Sequence, residues 1–330
     1  GRPLVGNRTG IGVHTAEIAR RLAVTPPPLI ASHAEIGDRS GIERCRFRVD
    51  PYPLGVLWQQ IALAGIEGDV FWGPHGTLPM NLRKPAVVSI HDFSSITMPG
   101  RHLLKTILSF NLFIGRSLEL AARVAAVSRA VADETMRGFG VPASRIEIVP
   151  NGVDEFFTPG GEEQDYVLYA GTLEPRKGVD DLVKAWLSLP SPPRLILAGA
   201  RGWRTSVPEH PRIEVRGFVE RSELRDLYRG AMAFVYPSRY EGFGLPPLEA
   251  MACGAPVVAT RTGAIPDYAG DAALLVPTSD PDALRAAMAK ILADRDLRRD
   301  LRLRGPNRAA RYRWESSAAT MTRVLAEAAR

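Results

Sequence analysis

Two carboxylates, Glu241 and Glu249, bracket seven residues in the stretch SRYEGFGLPPLEAMACG (238–254), and those seven include two glycines and two prolines. Carboxylates accept hydrogen bonds from hydroxyl pairs, so Glu249 suits a diol such as a ribose and Glu241 suits the hydroxyls of a sugar. The amides of Gly242, Phe243, Gly244 and Leu245 between them can serve phosphate or hydroxyl oxygens. Arg176 and Lys177 stand side by side in GTLEPRKG (171–178). A planar guanidinium beside a compact ammonium suits a diphosphate. Diol, diphosphate and hexose together make a sugar nucleotide. The plainer alternatives are that Arg176 and Lys177 solvate a loop, and that Glu249 sits in a first helical turn and stabilises its dipole by about 0.3–1 kcal/mol. A further polar pair, His91-Asp92, follows the apolar run AVVSI (86–90).

Positioning such groups requires elements of alternating type. Short apolar runs at 27–32, 69–73, 86–92, 123–128 and 145–150 read as strands, with helical periodicity at 13–23, 55–65, 101–121 and 129–138 between them. After the Gly-, Pro- and acid-rich segment 151–165 the rhythm restarts, with strands at 166–171, 194–199, 212–218, 233–237, 256–260 and 272–276. Strands alternating with helices imply parallel sheets covered on both faces. In such sheets ligands bind beyond the carboxyl ends of the strands, where the loops of both carboxylates, both cations and His91 are expected. A helix from about Pro247 to Cys253 is expected to stop at Gly254.

The chain has 330 residues, a formal net charge of +6 and two cysteines, Cys45 and Cys253, without metal-type spacing. Neither a disulfide framework nor a zinc site is indicated. Arginines spread along 285–313 form no single run, so they read as a solvated basic face; nucleic acid is not an expected partner. No apolar stretch reaches the length of about 20 residues that spans a bilayer, and no signal peptide pattern is seen. The expected setting is cytoplasmic. The sequence opens at GRPLVGNRTGIG, and a strand is expected ahead of such a glycine loop, so an N-terminal strand is expected to be missing from it.

These motifs resemble the retaining GT-B glycosyltransferases of group 1, often called family four. The Glu, seven residues, Glu signature carries the resemblance, together with YAGTLEPRKG, ILAG, RGFV, the run from AFVYP to PVVAT, GDAALLV and RYRWE. TGIG, HDFS, AAVS and IVPNGVDEFF extend it into the first half. The resemblance implies two Rossmann-like domains facing across a cleft: an acceptor-side domain at 1–152, a nucleotide-sugar domain at 153–312, and a helix at 313–330 packing back on the first. It places Glu249 on the ribose, Glu241 on a donor hexose hydroxyl, Arg176, Lys177 and Ser238 at the diphosphate, and Gly12 close to the phosphates. His91 is placed beside the donor sugar and the Val219 backbone at the nucleobase.

The activity so implied is transfer of a hexose from a nucleotide diphosphate sugar to an acceptor hydroxyl with retention, by front-face substitution, without cofactor or metal. Asp294-Arg295-Asp296 is read as solvated surface. TGIG with HDFS looks most like bacterial mannosyltransferases of surface polysaccharide synthesis, which makes GDP-mannose the expected donor and a saccharide or lipid-linked saccharide the expected acceptor. A sugar-nucleotide epimerase or a silent sugar-nucleotide-binding module are the alternatives. GNRTGIG lacks the G-x-G-x-x-G spacing of a nicotinamide dehydrogenase. The helix at 101–118 crowds apolar residues between Arg101, Lys105 and Arg116. It is either packed on the first sheet or laid in an anionic membrane interface, making the protein a peripheral enzyme.

Overall fold

The computed structural model describes residues 4–5, 10–51, 55–63, 65–101, 104–202 and 205–330, without the side chains of 55–57, 101 and 104–109. The chain divides into two compact units, Gly1–Gly152 with Arg313–Arg330, and Val153–Tyr312.

Unit 1 runs α1 (Gly10–Arg21), β1 (Leu29–Ser32), β2 (Arg46–Val49), α2 (Gly55–Ala62), β3 (Phe71–Gly73), β4 (Ala86–Ile90), α3 (Ser94–Thr97), α4 (Leu104–Leu120), β5 (Arg123–Ala126), α5 (Arg129–Phe139) and β6 (Ile146–Ile148). Among the described residues its strands are parallel and form two sheets, β1-β2 and β3-β4-β5-β6. All five residues of β4 are buried, as expected of a parallel strand covered on both faces.

Two details differ from the sequence expectation. Helix α1 starts at Gly10, so Gly10, Ile11 and Gly12 are helical and not part of a loop. Thr9 and the preceding Gly6–Arg8 lie outside the described residues, as does Trp203. Strand β2, RFRV, was not expected: every second residue is charged, and its burial alternates between exposed and half-buried, which gives no apolar run to read.

Unit 2 runs β7 (Gln164–Ala170), α6 (Val179–Leu187), β8 (Arg194–Ala198), β9 (Ile213–Gly217), α7 (Arg221–Gly230), β10 (Ala231–Tyr236), α8 (Leu245–Ala252), β11 (Val257–Thr260), α9 (Ile265–Ala269), β12 (Leu274–Val276), α10 (Pro281–Ala293) and α11 (Arg295–Ala309). Its six parallel strands form one sheet in the order β9-β8-β7-β10-β11-β12. The order reverses between β7 and β10, the place where loops diverge and leave a crevice beyond the strand ends.

Part of the arginine-rich tail is structural and not a solvated face. Arg298 is buried, pairing with Glu163 at 3.1 Å and donating to the carbonyls of Ile291 and Leu292. Arg302 donates to the carbonyl of Ala231 at 2.7 Å, and Arg308 to that of Tyr268 at 3.0 Å. A guanidinium can satisfy several carbonyls at once, so these residues fasten α11 to its own domain.

The last helix, α12 (Trp314–Ala328), belongs to unit 1 and packs against α1, β4 and β5. Trp314 is buried there, and Arg21 donates to Glu315 at 2.6 Å. Among the described residues, no helix is long and apolar enough to cross a membrane.

Candidate functional site

In unit 2 Arg176 and Lys177 follow β7, Ser238 and Glu241 follow its neighbour β10, Val219 follows β9, and Glu249 lies on α8 after β10. After β7, Pro175–Lys177 forms a single 3-10 turn closed by Gly178 at φ 68°. A Cβ at Gly178 would stand 2.2 Å from the Pro237 carbonyl, so only glycine lets this turn approach the segment that follows β10 so closely.

That approach brings together residues far apart in sequence. Glu241 Oε1 accepts from Lys177 Nζ at 2.5 Å, Ser238 Oγ at 2.6 Å and Tyr236 Oη at 2.9 Å. Its Oε2 faces Arg176 Nη1 at 3.7 Å. Arg176 also donates to the Tyr240 carbonyl and to Glu174, each at 2.9 Å. Burial alone pushes the Glu241 carboxyl up, but the Lys177 and Arg176 cations outweigh it and hold it below its ordinary value, so it is ionised. Burial, and then the adjacent Arg176, lower the Lys177 ammonium against the pull of Glu241. The two cations are thus matched by two carboxylates, Glu241 and Glu174, which hold them together at one place.

Arg239 was overlooked in the sequence because it reads as an ordinary loop arginine beside the signature glutamate. Its side chain is only 7% exposed and ties Asp180 at 2.9 Å and Asp181 at 2.7 Å to the Pro175 carbonyl. Its own amide donates to the Arg176 carbonyl at 2.9 Å. It therefore braces the cation turn against the start of α6.

Glu249 is placed differently from the sequence expectation. Helix α8 begins at Leu245 with both prolines in its first turn, where their missing N–H groups cost nothing, and Glu249 is its fifth residue. Stabilising the helix N-terminus is therefore not its role. Glu249 is half-buried, accepts from Tyr228 Oη at 3.3 Å, and has its carboxyl raised to about 7 by burial, only partly countered by Arg221 and Tyr228.

Around it, Arg221 pairs with Asp154 at 3.1 Å and lies over the rings of Phe156 and Phe157, with Arg225 also over Phe156. Val219 sits between β9 and α7, two residues before Arg221. The loop between the glutamates is held by Phe243 packing against Tyr268, and by Tyr268 donating to the Gly244 carbonyl at 2.7 Å. Because Pro246 and Pro247 lack N–H groups, Leu245 carries the N–H that the first turn of α8 can offer. Asp294, the first acid of the Asp-x-Asp sequence there, caps α11 by accepting from the Leu297 amide at 2.9 Å.

Unit 1 carries a separate polar centre. His91 follows β4, and its Nε2 bonds the Pro74 carbonyl at 2.8 Å. Asp92 is turned to α3, accepting from the Ser94 amide and hydroxyl at 2.9 and 2.6 Å. Against His91, at 4.8 Å between ring centres and nearly perpendicular, packs His14 of α1. His14 is fully buried, and its Nδ1 bonds Asn151 Oδ1 at 2.7 Å. Burial, with His91 adding to it, lowers its pKa to about 3, and burial lowers that of His91 as well, so both rings are neutral. No spacing announces His14: a lone histidine in an amphipathic helix carries no signal in sequence. Gly12 lies two residues before it, buried in the first turn of α1.

Comparisons with known proteins agree on one family. The profile described as glycosyl transferases group 1 matches residues 154–308, and that described as glycosyltransferase family 4 matches residues 33–155. The O-antigen chain mannosyltransferase B of Escherichia coli is 34% identical over 283 residues, covering 78% of this chain and 74% of that protein. A D-inositol 3-phosphate glycosyltransferase of Xylanimonas cellulosilytica is 36% identical over 250 residues, covering 65% of this chain and 60% of that protein. Among solved structures, Anabaena HepE in complex with UDP-glucose superimposes with a TM-score of 0.79 over 98% of this chain and 97% of that one, at 19% identity.

Proposed function

Because the chain belongs to the glycosyl transferases of group 1, with their GT-B fold of two Rossmann-like domains, we propose that it moves a mannosyl residue from GDP-mannose to a saccharide hydroxyl with retention of configuration. The observation that supports this most is the Glu241, Lys177 and Arg176 cluster at the sheet's switch point, two half-buried cations held together by a buried carboxylate. On this reading Arg176 and Lys177 take the diphosphate, with Ser238 and the Leu245 amide beside them. Glu249 accepts from the ribose diol, the Val219 backbone meets the base, and Glu241 Oε2 accepts from a hexose hydroxyl. His91 and Gly12 serve the donor from unit 1. Mannose is preferred because the O-antigen relative transfers mannose by its name.

In the reaction the bond from the anomeric carbon to the diphosphate oxygen breaks and a bond to the acceptor oxygen forms on the same face. The acceptor proton passes to the departing phosphate oxygen. Preorganised cations stabilise that oxygen as its charge develops, the role a metal plays in other transferases. We place the enzyme in the cytoplasm, at the membrane surface where lipid-linked saccharides are extended.

The test is a panel of nucleotide sugars scored by thermal protection and turnover, with and without exhaustive chelation. A donor at about a hundred times its dissociation constant adds about 2.7 kcal/mol. GDP-mannose is expected to protect and to turn over in chelator with an α-configured product. Protection by another donor alone, an inverted product, or activity that returns only with added divalent metal each defeats the corresponding part of the proposal.

A further inference from the structure

Three neighbouring strands of the unit 2 sheet end in glycine. β7 gives way to Gly171, β8 gives way to Gly199, and β9 closes on Gly217, each with positive φ, at 145°, 147° and 69°. Because β8 stands between β7 and β9, the three glycines lie in a row. The Gly171 amide donates to the Ala198 carbonyl at 2.9 Å, and the Gly199 amide to that of Gly217 at 2.6 Å. A Cβ at Gly199 would stand 2.0 Å from the Gly171 carbonyl oxygen, so backbone packs directly on backbone there. At Gly217 an added Cβ would meet no described atom within 4 Å. The row is a strip without side chains, open at its Gly217 end.

The first side chain beyond that open end is Phe218, and it is 64% exposed. Among the described residues no other phenylalanine or tryptophan is exposed. By contrast Phe156, Phe157, Tyr228 and Phe234 are joined by ring contacts, as are Phe243, Tyr268 and Tyr312. A ring left in water forgoes the stabilisation that burial would give it. The exposed leucines of this unit, Leu187 and Leu303, lie on helices, whereas Phe218 lies at the carboxyl end of a strand, where parallel sheets of this kind take their ligands.

The surroundings of Phe218 bear on which ligand group it meets. Val219 follows directly, and helix α7 begins two residues later at Arg221. Tyr228 of α7 donates to Glu249 at 3.3 Å, and the charge of Arg221 acts on the same carboxylate. The loop that carries Phe218 is thus tied through α7 to the group assigned to the ribose diol. A nucleoside holds its diol and its base on one ribose, so the group that meets the base belongs beside the group that holds the diol. Arg221 is already engaged, pairing with Asp154 at 3.1 Å and lying over the rings of Phe156 and Phe157. Phe218 has an open planar face.

We propose that Phe218 is the platform on which the nucleobase of the donor stacks, and that it makes the site prefer a purine to a pyrimidine. This rests on the sugar-nucleotide reading above and adds to it the side chain that selects the base. Backbone groups at Val219 bond in the plane of the base and read its edge, whereas a ring against the base reads the extent of its face. Every base has a π-face, and a bicyclic purine covers more of a phenyl ring than a pyrimidine does.

The test is titration calorimetry on the whole chain with GDP, UDP and inorganic pyrophosphate, which carries the charge and no base. In Phe218→Ser, GDP is expected to bind about tenfold more weakly and UDP about threefold, with pyrophosphate unchanged. In Phe218→Trp, GDP affinity is retained, and the fluorescence of the added indole is quenched by GDP and not by pyrophosphate. Equal affinity for GDP in the parent and in Phe218→Ser overturns this inference alone. Equal weakening of all three ligands does the same, because the ring would then be shaping the loop and not meeting the base. Tighter binding of UDP than of GDP by the parent overturns the purine preference. A parent that binds neither nucleotide overturns the sugar-nucleotide reading and this inference with it.

Discussion

The two units use the same alternation of strand and helix but hold their polar centres by different means. In unit 2 a continuous sheet places β7 beside β10, and the residues after those strands interlock through Glu241, with its three donors at 2.5–2.9 Å. In unit 1 the described strands form two sheets, and the centre is a pair of neutral histidines, His14 buried and His91 half-buried, braced by Asn151 and the rings of Trp72 and Trp314. One centre is built from charges that offset one another, the other from the exclusion of charge. Ionic groups can be held buried only when partners surround them, whereas uncharged imidazoles need only dry packing and a hydrogen bond. The anionic donor we propose is accordingly assigned to the first.

The sharpest test of that contrast is in unit 2. Replacing Arg176 and Lys177 together with alanine, or Glu249 with alanine, is expected to cut turnover by at least about a hundredfold, with far-ultraviolet circular dichroism retained. More than half of wild-type activity in either variant, at full donor occupancy, would falsify the assignment of the diphosphate and ribose to these residues.

In unit 1 the expected signature is acid sensitivity. The folded pKa of His14 lies near 3, below its unfolded value of about 6.5, so the unfolded state binds the proton first and stability falls as pH drops through that interval. Between pH 7 and pH 5 the loss is about 2 kcal/mol, read as faster exchange of α1 amides after correction for intrinsic rates. His14→Gln should flatten the slope. An unchanged slope places the proton elsewhere.

Glu249 provides the opposite sign. Its folded pKa near 7 exceeds the ordinary 4.5, so the folded state holds the proton longer and stability falls as pH rises from about 4.5 to 7. A diol donates to the ionised carboxylate, so donor affinity is expected to tighten several-fold from pH 6 to pH 8, measured by calorimetry. The effect should vanish in Glu249→Gln. Affinity that weakens over the same range points to a different group at the diol.

The smallest effect concerns α4. Its described part packs inward: Phe110 lies against Gly76, Ile114 and Leu118 are buried, and Phe113 is half-buried, while Leu112 is 72% exposed. Side chains 104–109 are outside the described residues. Phe110 thus belongs to the packed face, and the membrane reading rests on residues such as Leu112. Binding to anionic vesicles at low salt is expected to fall about twofold in Leu112→Ser, in step with the loss of one apolar anchor. No vesicle binding by the parent protein leaves α4 as a packing helix alone.

The sequence by itself determined the order of strands and helices, because apolar runs and helical periodicity are local, and it exposed the Glu241 to Glu249 spacing and the Arg176-Lys177 pair. It did not show β2, whose alternating charges leave no apolar run, nor that two prolines open α8 and carry Glu249 beyond its first turn. Only the tertiary structure joined Lys177 to Glu241 across 64 residues and His14 to Asn151 across 137. It also turned Arg239 from a loop cation into a brace and Arg298 from a surface charge into a buried one. Local periodicity reports which face of an element is apolar, but a charge network depends on which loops the sheet order sets side by side, and strand order is a property of the packed chain.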